Sequence, residues 1–160
     1  MSQSSLGTKI WAFLKELFTR NLKTVIEPLI IDPESMHSQE AESFDQPGRG
    51  DVTWRTLISS PQTKTDSLTA GIATCPPKTG HLCPHRHLQA EIYHIINGHG
   101  VVEIDGAQYP VKAGSVVYIP GDARHGIRNV DPVAELKWLY IFPTDGFGDV
   151  KYRFDEGLRK

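Results

Sequence analysis

The sequence predicts an all-β protein, a single antiparallel barrel or sandwich preceded by one α-helix. Three observations lead there. From Val52 onward, apolar residues recur at alternate positions in short runs, the period of a strand with one buried face. The 160 residues include 14 Gly and 11 Pro, and many of these separate the runs, which fits many short strands better than a helix bundle. The length suits one domain with one core.

The elements follow in order. Residues 1–7 are polar. From Thr8, the residues Ile10, Leu14, Leu17, Phe18, Leu22, Val25 and Ile26 recur at helical spacing, with Thr8 as N-cap and Pro28 as stop. Residues 1–31 are therefore read as an N-terminal amphipathic helix that packs on the barrel or on a second subunit. Residues 32–51 carry Glu34, Glu40, Glu42, Asp45, Pro47 and Gly48 and form an acidic loop or linker with room for one helical turn. The barrel spans 52–153, and 154–160 is a C-terminal tail.

Within the barrel, strands are expected at 52–58, 67–74, the His-rich run after Pro76–Gly80, 91–96, 100–104, 108–112, 115–119, 124–129 and 134–142. Asn97-Gly98 and Ala113-Gly114 mark turns, and Asp105-Gly106 is a tight hairpin signal.

Composition excludes several partners. Lys+Arg number 17 against 19 Asp+Glu, and no basic run provides the footprint a nucleic acid needs. No apolar run is long enough to cross a membrane, and Lys9, Lys15, Glu16 and Arg20 interrupt the N-terminal apolar residues where a secretory signal would be continuous. Two cysteines, Cys75 and Cys83, are too few for a disulfide framework. The expectation is a cytoplasmic protein that binds a small-molecule substrate. The apolar helix and free sheet edges point to a homodimer.

The chemistry gathers around His85-Arg86-His87-Leu88-Gln89-Ala90-Glu91-Ile92-Tyr93. The chain has seven His, and four of them fall between residues 81 and 94. Alternate side chains of a strand share a face, so His85 and His87 point together, and Glu91 and Tyr93 join them once the next strand is in register. His125 arrives from a third strand. By the same parity His81 is expected at the pocket mouth and His94 outside, while Cys83 shares the parity of His85 but reads better as a small buried apolar residue. Three neutral imidazoles and one carboxylate make a nitrogen-rich site. That donor set suits one divalent transition metal (Fe, Mn, Ni, Co, Cu or Zn) and fits poorly with Ca or Mg. For Tyr93 two readings stay open, a half-buried strand tyrosine or a catalytic base beside the metal. Trp54, Trp138 and Tyr140 read as wall residues, some of them available as an aromatic surface for a cationic substrate.

These residues also carry a resemblance. His85, His87, Glu91 and Gly98 match the first cupin motif, HxHxxxE followed by six residues and Gly. Gly114, Pro120, His125 and Asn129 match the second, with Asp122 in place of its PxG glycine, and Gly80 lies one residue closer to His85 than the usual opening glycine. The resemblance implies a cupin jelly-roll β-barrel with the metal inside. The runs AEIYHIINGHG, GSVVYIPGDARHGIRN and YIFPTDGFGDVKY are further similar to small cupins that cleave dimethylsulfoniopropionate. That similarity implies Tyr93 as the base and Tyr152 as a second tyrosine lining the pocket. It implies a lyase acting by β-elimination. Related cupins serve as oxidoreductases in secondary metabolism and as ligand sensors, so an oxidoreductase or a non-enzymatic binding protein are the alternative expectations.

Overall fold

The computed structural model describes residues 25–155. The helix expected from Thr8 falls almost wholly outside them, and residues 25–32 carry no regular secondary structure. A short helix, α1 (Pro33–Ser38), is the helical turn foreseen in the acidic loop. Asp32 caps it by accepting the Ser35 amide at 2.7 Å, and Pro33 starts it where no backbone donor is needed.

Ten strands follow: β1 (Thr53–Ile58), β2 (Thr69–Cys75), β3 (His81–Arg86), β4 (Glu91–Asn97), β5 (His99–Ile104), β6 (Ala107–Lys112), β7 (Val116–Ile119), β8 (His125–Asn129), β9 (Leu136–Phe142) and β10 (Arg153–Phe154). They form two five-stranded sheets, ordered β1-β2-β9-β4-β7 and β10-β3-β8-β5-β6, with antiparallel pairing throughout. The inner faces of the sheets enclose one core built on Tyr93, Ile95, Val102, Ile119, Ile127, Leu136, Trp138 and Phe142. Strand β9 shows the rule that builds it. Leu136, Trp138, Tyr140 and Phe142 are buried, while the alternating Lys137, Leu139 and Ile141 are half-exposed.

The expected turns form. Asp105 (φ 48°) and Gly106 (φ 85°) both take the left-handed backbone that a two-residue hairpin requires. Gly98 (φ 79°) turns so tightly that a Cβ would collide with the Glu135 carbonyl. Asp122, at the motif's glycine position, has φ 64°, so the chain keeps the left-handed turn with one of the few side chains that tolerate it.

Strand β3 departs from simple alternation. Leu82 pairs with Ile127 and His85 with His125, and the register shifts between them. Pro84 has no amide to give the ladder, so a bulge at Cys83-Pro84 is the local solution. The Cys83 amide instead donates to the Arg49 carbonyl at 3.1 Å. The bulge changes the parity upstream: Leu82 points inward, and His81 is exposed. The acidic segment is also stitched to the barrel. Glu42 and Trp54 exchange backbone hydrogen bonds at 2.7 and 3.0 Å, and Gly50 bridges Leu82. Among the described residues no helix is long and apolar enough to cross a membrane.

Asn129 ties off the far end of β8. It is 2% exposed, and its amide nitrogen contacts the carbonyls of Cys75 (3.2 Å), Pro76 (2.9 Å) and Ala134 (2.9 Å). Its oxygen accepts the Asp131 amide at 2.8 Å. Replacing it by Ala strands these backbone groups in the interior, and we expect Asn129→Ala to cost about 3 kcal/mol in chemical denaturation. A loss below about 0.5 kcal/mol would show that water takes over the role.

Candidate metal centre

His85 and His125 sit directly opposite each other on β3 and β8, and His87 follows just after β3. All three are buried, and their ligand nitrogens lie within 4.8 Å of one another. Backbone carbonyls fix each ring. The Nδ1 of His85 faces Cys83 O at 2.9 Å, that of His87 faces Gln89 O at 2.9 Å, and that of His125 faces Ala123 O at 2.8 Å. A carbonyl only accepts, so each Nδ1 carries the proton and each Nε2 of a neutral ring presents a bare lone pair. Orienting a metal-binding histidine through its second nitrogen in this way is a common device.

Glu91 enters from β4 in the facing sheet, 2% exposed. Its Oε2 lies 3.2 Å from His87 Nε2 and 3.2 Å from His125 Nε2. A carboxylate also only accepts, so with neutral rings these contacts set acceptor against acceptor until a cation or a proton lies between them. His85 Nε2 is buried with no partner. Burial first, and then the neighbouring His125, hold its pKa well below the ordinary value, so this ring stays neutral with its lone pair free. An orphaned nitrogen beside two opposed acceptors is what a bound divalent cation resolves. The residues fit such a group, and the three histidines can hold one.

Beside the cluster lies a narrow cavity of about 20 Å³, lined by Glu91 and mostly by aromatic and aliphatic side chains. Tyr93, Trp138, Tyr140 and Tyr152, all expected at the pocket, border it. Tyr93 pairs with Tyr140 across β4 and β9, and its ring lies 6.5 Å from that of His125. Burial and then the Glu91 carboxylate push the Tyr93 phenol well above its ordinary pKa. Tyr152, delivered by the segment leading into β10, stacks on His85 at 4.6 Å between ring centres.

His81 does not reach this cavity. The β3 bulge turns it outward, where its Nδ1 contacts Thr79 O at 2.9 Å and Asp51 at 3.4 Å, and it borders a separate outer groove with Lys78 and Arg128. Leu82 takes the inward place. His94 faces outward as parity predicts. Cys75 and Cys83 are both free. Two aromatic lining residues went unassigned from sequence: Phe44 in the acidic segment and Phe147. Phe44, 4.7 Å from Trp54, is the lone aromatic in a polar stretch, and that isolation was the available signal.

Two packed antiparallel sheets with three buried histidines and a glutamate converging between them define a jelly-roll barrel built around a candidate metal site. The chain belongs to the cupin family, whose cupin domain it matches over residues 71–142. It is 38% identical over 128 residues to dimethylsulfoniopropionate lyase DddW of Ruegeria pomeroyi, a match covering 76% of this chain and 82% of that protein. In three dimensions it resembles the polyketide cyclase RemF of Streptomyces resistomycificus (TM-score 0.64, 20% identity, 84% of this chain and 89% of that one). It also resembles a chain from the crystal structures of the dimethylsulfoniopropionate lyases RdDddP and RnDddQII (TM-score 0.61, 18% identity, 73% of this chain and 62% of that one). These structural likenesses show the fold.

The opposed acceptors lead to a direct expectation. Purified protein titrated with Co(II) binds about one equivalent, read from the visible absorption of the bound ion. His125→Ala weakens that binding by more than about a hundredfold, beyond the usual effect of losing only a supporting hydrogen bond. Equal affinity in the variant would remove His125 from the ligand set.

Proposed function

We propose that this cupin is a metal-dependent lyase that cleaves a small carboxylate substrate of the dimethylsulfoniopropionate type by β-elimination. The relation to a named lyase over most of both chains supports an enzyme of that class. The observation that carries the reading is the cavity beside the histidine cluster: Glu91 and Tyr93 border it, aromatic rings wall it, and among the described residues no Lys or Arg lines it. Such a lining accepts a sulfonium group against ring faces and provides no cation to repel it.

His85, His87 and His125 hold the ion, with Glu91 as fourth ligand and Fe, Mn, Ni, Co, Cu or Zn as the candidate metals. When bound, the cation supplies Lewis acidity to the substrate carboxylate and so acidifies the neighbouring C–H. Tyr93 takes that proton as base. The carbon's electron pair forms the new C=C bond, and the C–S pair leaves with sulfur. The products are acrylate and dimethyl sulfide, and Tyr93 returns its proton to solvent. The phenol is held protonated by burial and by Glu91. It becomes a base by losing that proton to solvent as positive charge enters the cavity, and a sulfonium substrate brings such a charge with it. Tyr140, Trp138 and Tyr152 form the walls that orient the substrate. His81 has no part in this reading.

Headspace analysis of metal-loaded protein tests it. Dimethyl sulfide should form at the same rate with and without oxygen, and Tyr93→Phe should lower kcat by about a hundredfold to ten-thousandfold while the bound metal is retained. Oxygen-dependent turnover would favour an oxidoreductase instead, and no product above a His125→Ala control would end the lyase reading.

Two smaller proposals accompany it. The free thiols Cys75 and Cys83 fit a reducing cytoplasm. Ile92, Ile96, Val116 and Tyr118 are exposed on the outer face of the first sheet and support a homodimer. Light scattering on the eluting protein should give twice the chain mass, and a monomer would remove the dimer.

A further inference from the structure

Trp54 carries a polar group that no described residue pairs with. It stands on β1 opposite the buried Ala73, so its side chain starts on the inward face. Phe44 at 4.7 Å and Phe147 at 6.0 Å hold the ring in place. The ring borders the cavity together with Glu91, Tyr93, Tyr140 and Tyr152. Its Nε1 is buried and has no hydrogen-bond partner among the described residues. A buried indole N–H left unpaired costs free energy, and native structures rarely keep one without a reason.

The other polar groups of the cavity are differently placed. Glu91 faces His87 and His125, and the Tyr140 hydroxyl is 3.2 Å from Thr56 Oγ1. A tyrosine hydroxyl donates or accepts, whereas an indole N–H only donates. The partner missing from Trp54 is therefore an acceptor, and a ligand entering the cavity can supply it in place of water. We propose that Trp54 Nε1–H is an anchoring donor for the carboxylate of the bound acid. This rests on the reading that the substrate is an acid. It adds a reason for using indole at that place. A Lys or Arg would bind the carboxylate more strongly but would repel an onium group in so small a cavity. A neutral donor on an aromatic ring holds the anionic end and leaves the cationic end undisturbed.

The test reads the hydrogen bond itself. In ¹⁵N-labelled, Zn-loaded protein the indole N–H of Trp54, assigned by triple-resonance methods, should shift downfield on addition of acrylate, and more weakly with acrylamide. Trp54→Phe keeps the ring packing and removes the donor. Its KM for dimethylsulfoniopropionate should rise about tenfold to a hundredfold, with kcat changed by less than about threefold. The NMR readout belongs to the wild-type protein, so it stands even where the variant does not fold. Acrylate that saturates the cavity without moving the Trp54 signal overturns the proposal, as does acrylate that does not bind. Dimethyl sulfide formation with a static Trp54 signal rejects the donor and keeps the lyase. A shifted signal without dimethyl sulfide keeps the donor and rejects the lyase.

Discussion

The central constraint of the structure is the meeting of Glu91 with His87 and His125 across 3.2 Å in the protein interior, where neutral rings would set acceptor against acceptor. Rotating a ring would relieve the conflict, but each ring is tied by Nδ1 to a backbone carbonyl two residues away. The carbonyls belong to the strands or to the turns that end them, so the tautomer is set by the fold. A buried carboxylate and three lone pairs then form a site whose electrostatic balance is completed by positive charge. The barrel surrounds this point from both sheets. The register of β3 on β8 puts His85 opposite His125, and the facing sheet brings Glu91 and Tyr93 on alternate positions of β4.

The segments outside the main strands serve the same point. β10 has two residues, too short to be stable alone, yet it places Tyr152 against His85. Ion pairs hold its flanks: Arg153 to Asp122, and Asp155 to Arg124 at 2.7 Å, with Arg124 also on Glu103 at 2.6 Å. Asp122 thus has two tasks, the left-handed turn before His125 and the tether for the closing strand. A glycine there would make the turn and leave Arg153 without its partner. The departure from the family motif is a substitution with its own physical rationale.

The strands and turns of the barrel were legible in the sequence because they rest on local signals. Alternation marks β4 and β9, and Asp105-Gly106 and Asn97-Gly98 announce their own turns. The site was legible for the same reason wherever strand parity holds, which brings His85, Glu91, Tyr93, Trp138 and Tyr140 to one interior. It failed at His81, because Pro84 forces a bulge and a bulge shifts every residue before it to the other face. Phe44 and Phe147 were not legible as site residues, since each reaches the cavity from an irregular segment whose path is set by distant contacts. Glu42 bridging Trp54 is one such contact, and a string of acidic residues gives no local hint of it.

Charge explains why the lining and the ligand cluster belong to one design. On the proposed reading, a divalent metal bound by three neutral imidazoles and one carboxylate would keep net positive charge, and that charge would attract the carboxylate of an incoming acid. Adding a basic residue to the wall would strengthen that attraction and also repel any cationic group on the same molecule. Among the described residues, the cavity instead presents ring faces and an unpaired indole donor. Ring quadrupoles favour an onium group, and the N–H favours an anion without bringing full charge. A zwitterion is held at both ends by such a wall, whereas a simple fatty acid gains only one of the two contacts. On the proposed reading, the selectivity of the site would follow from where positive charge has been left out, as much as from where a metal would put it in.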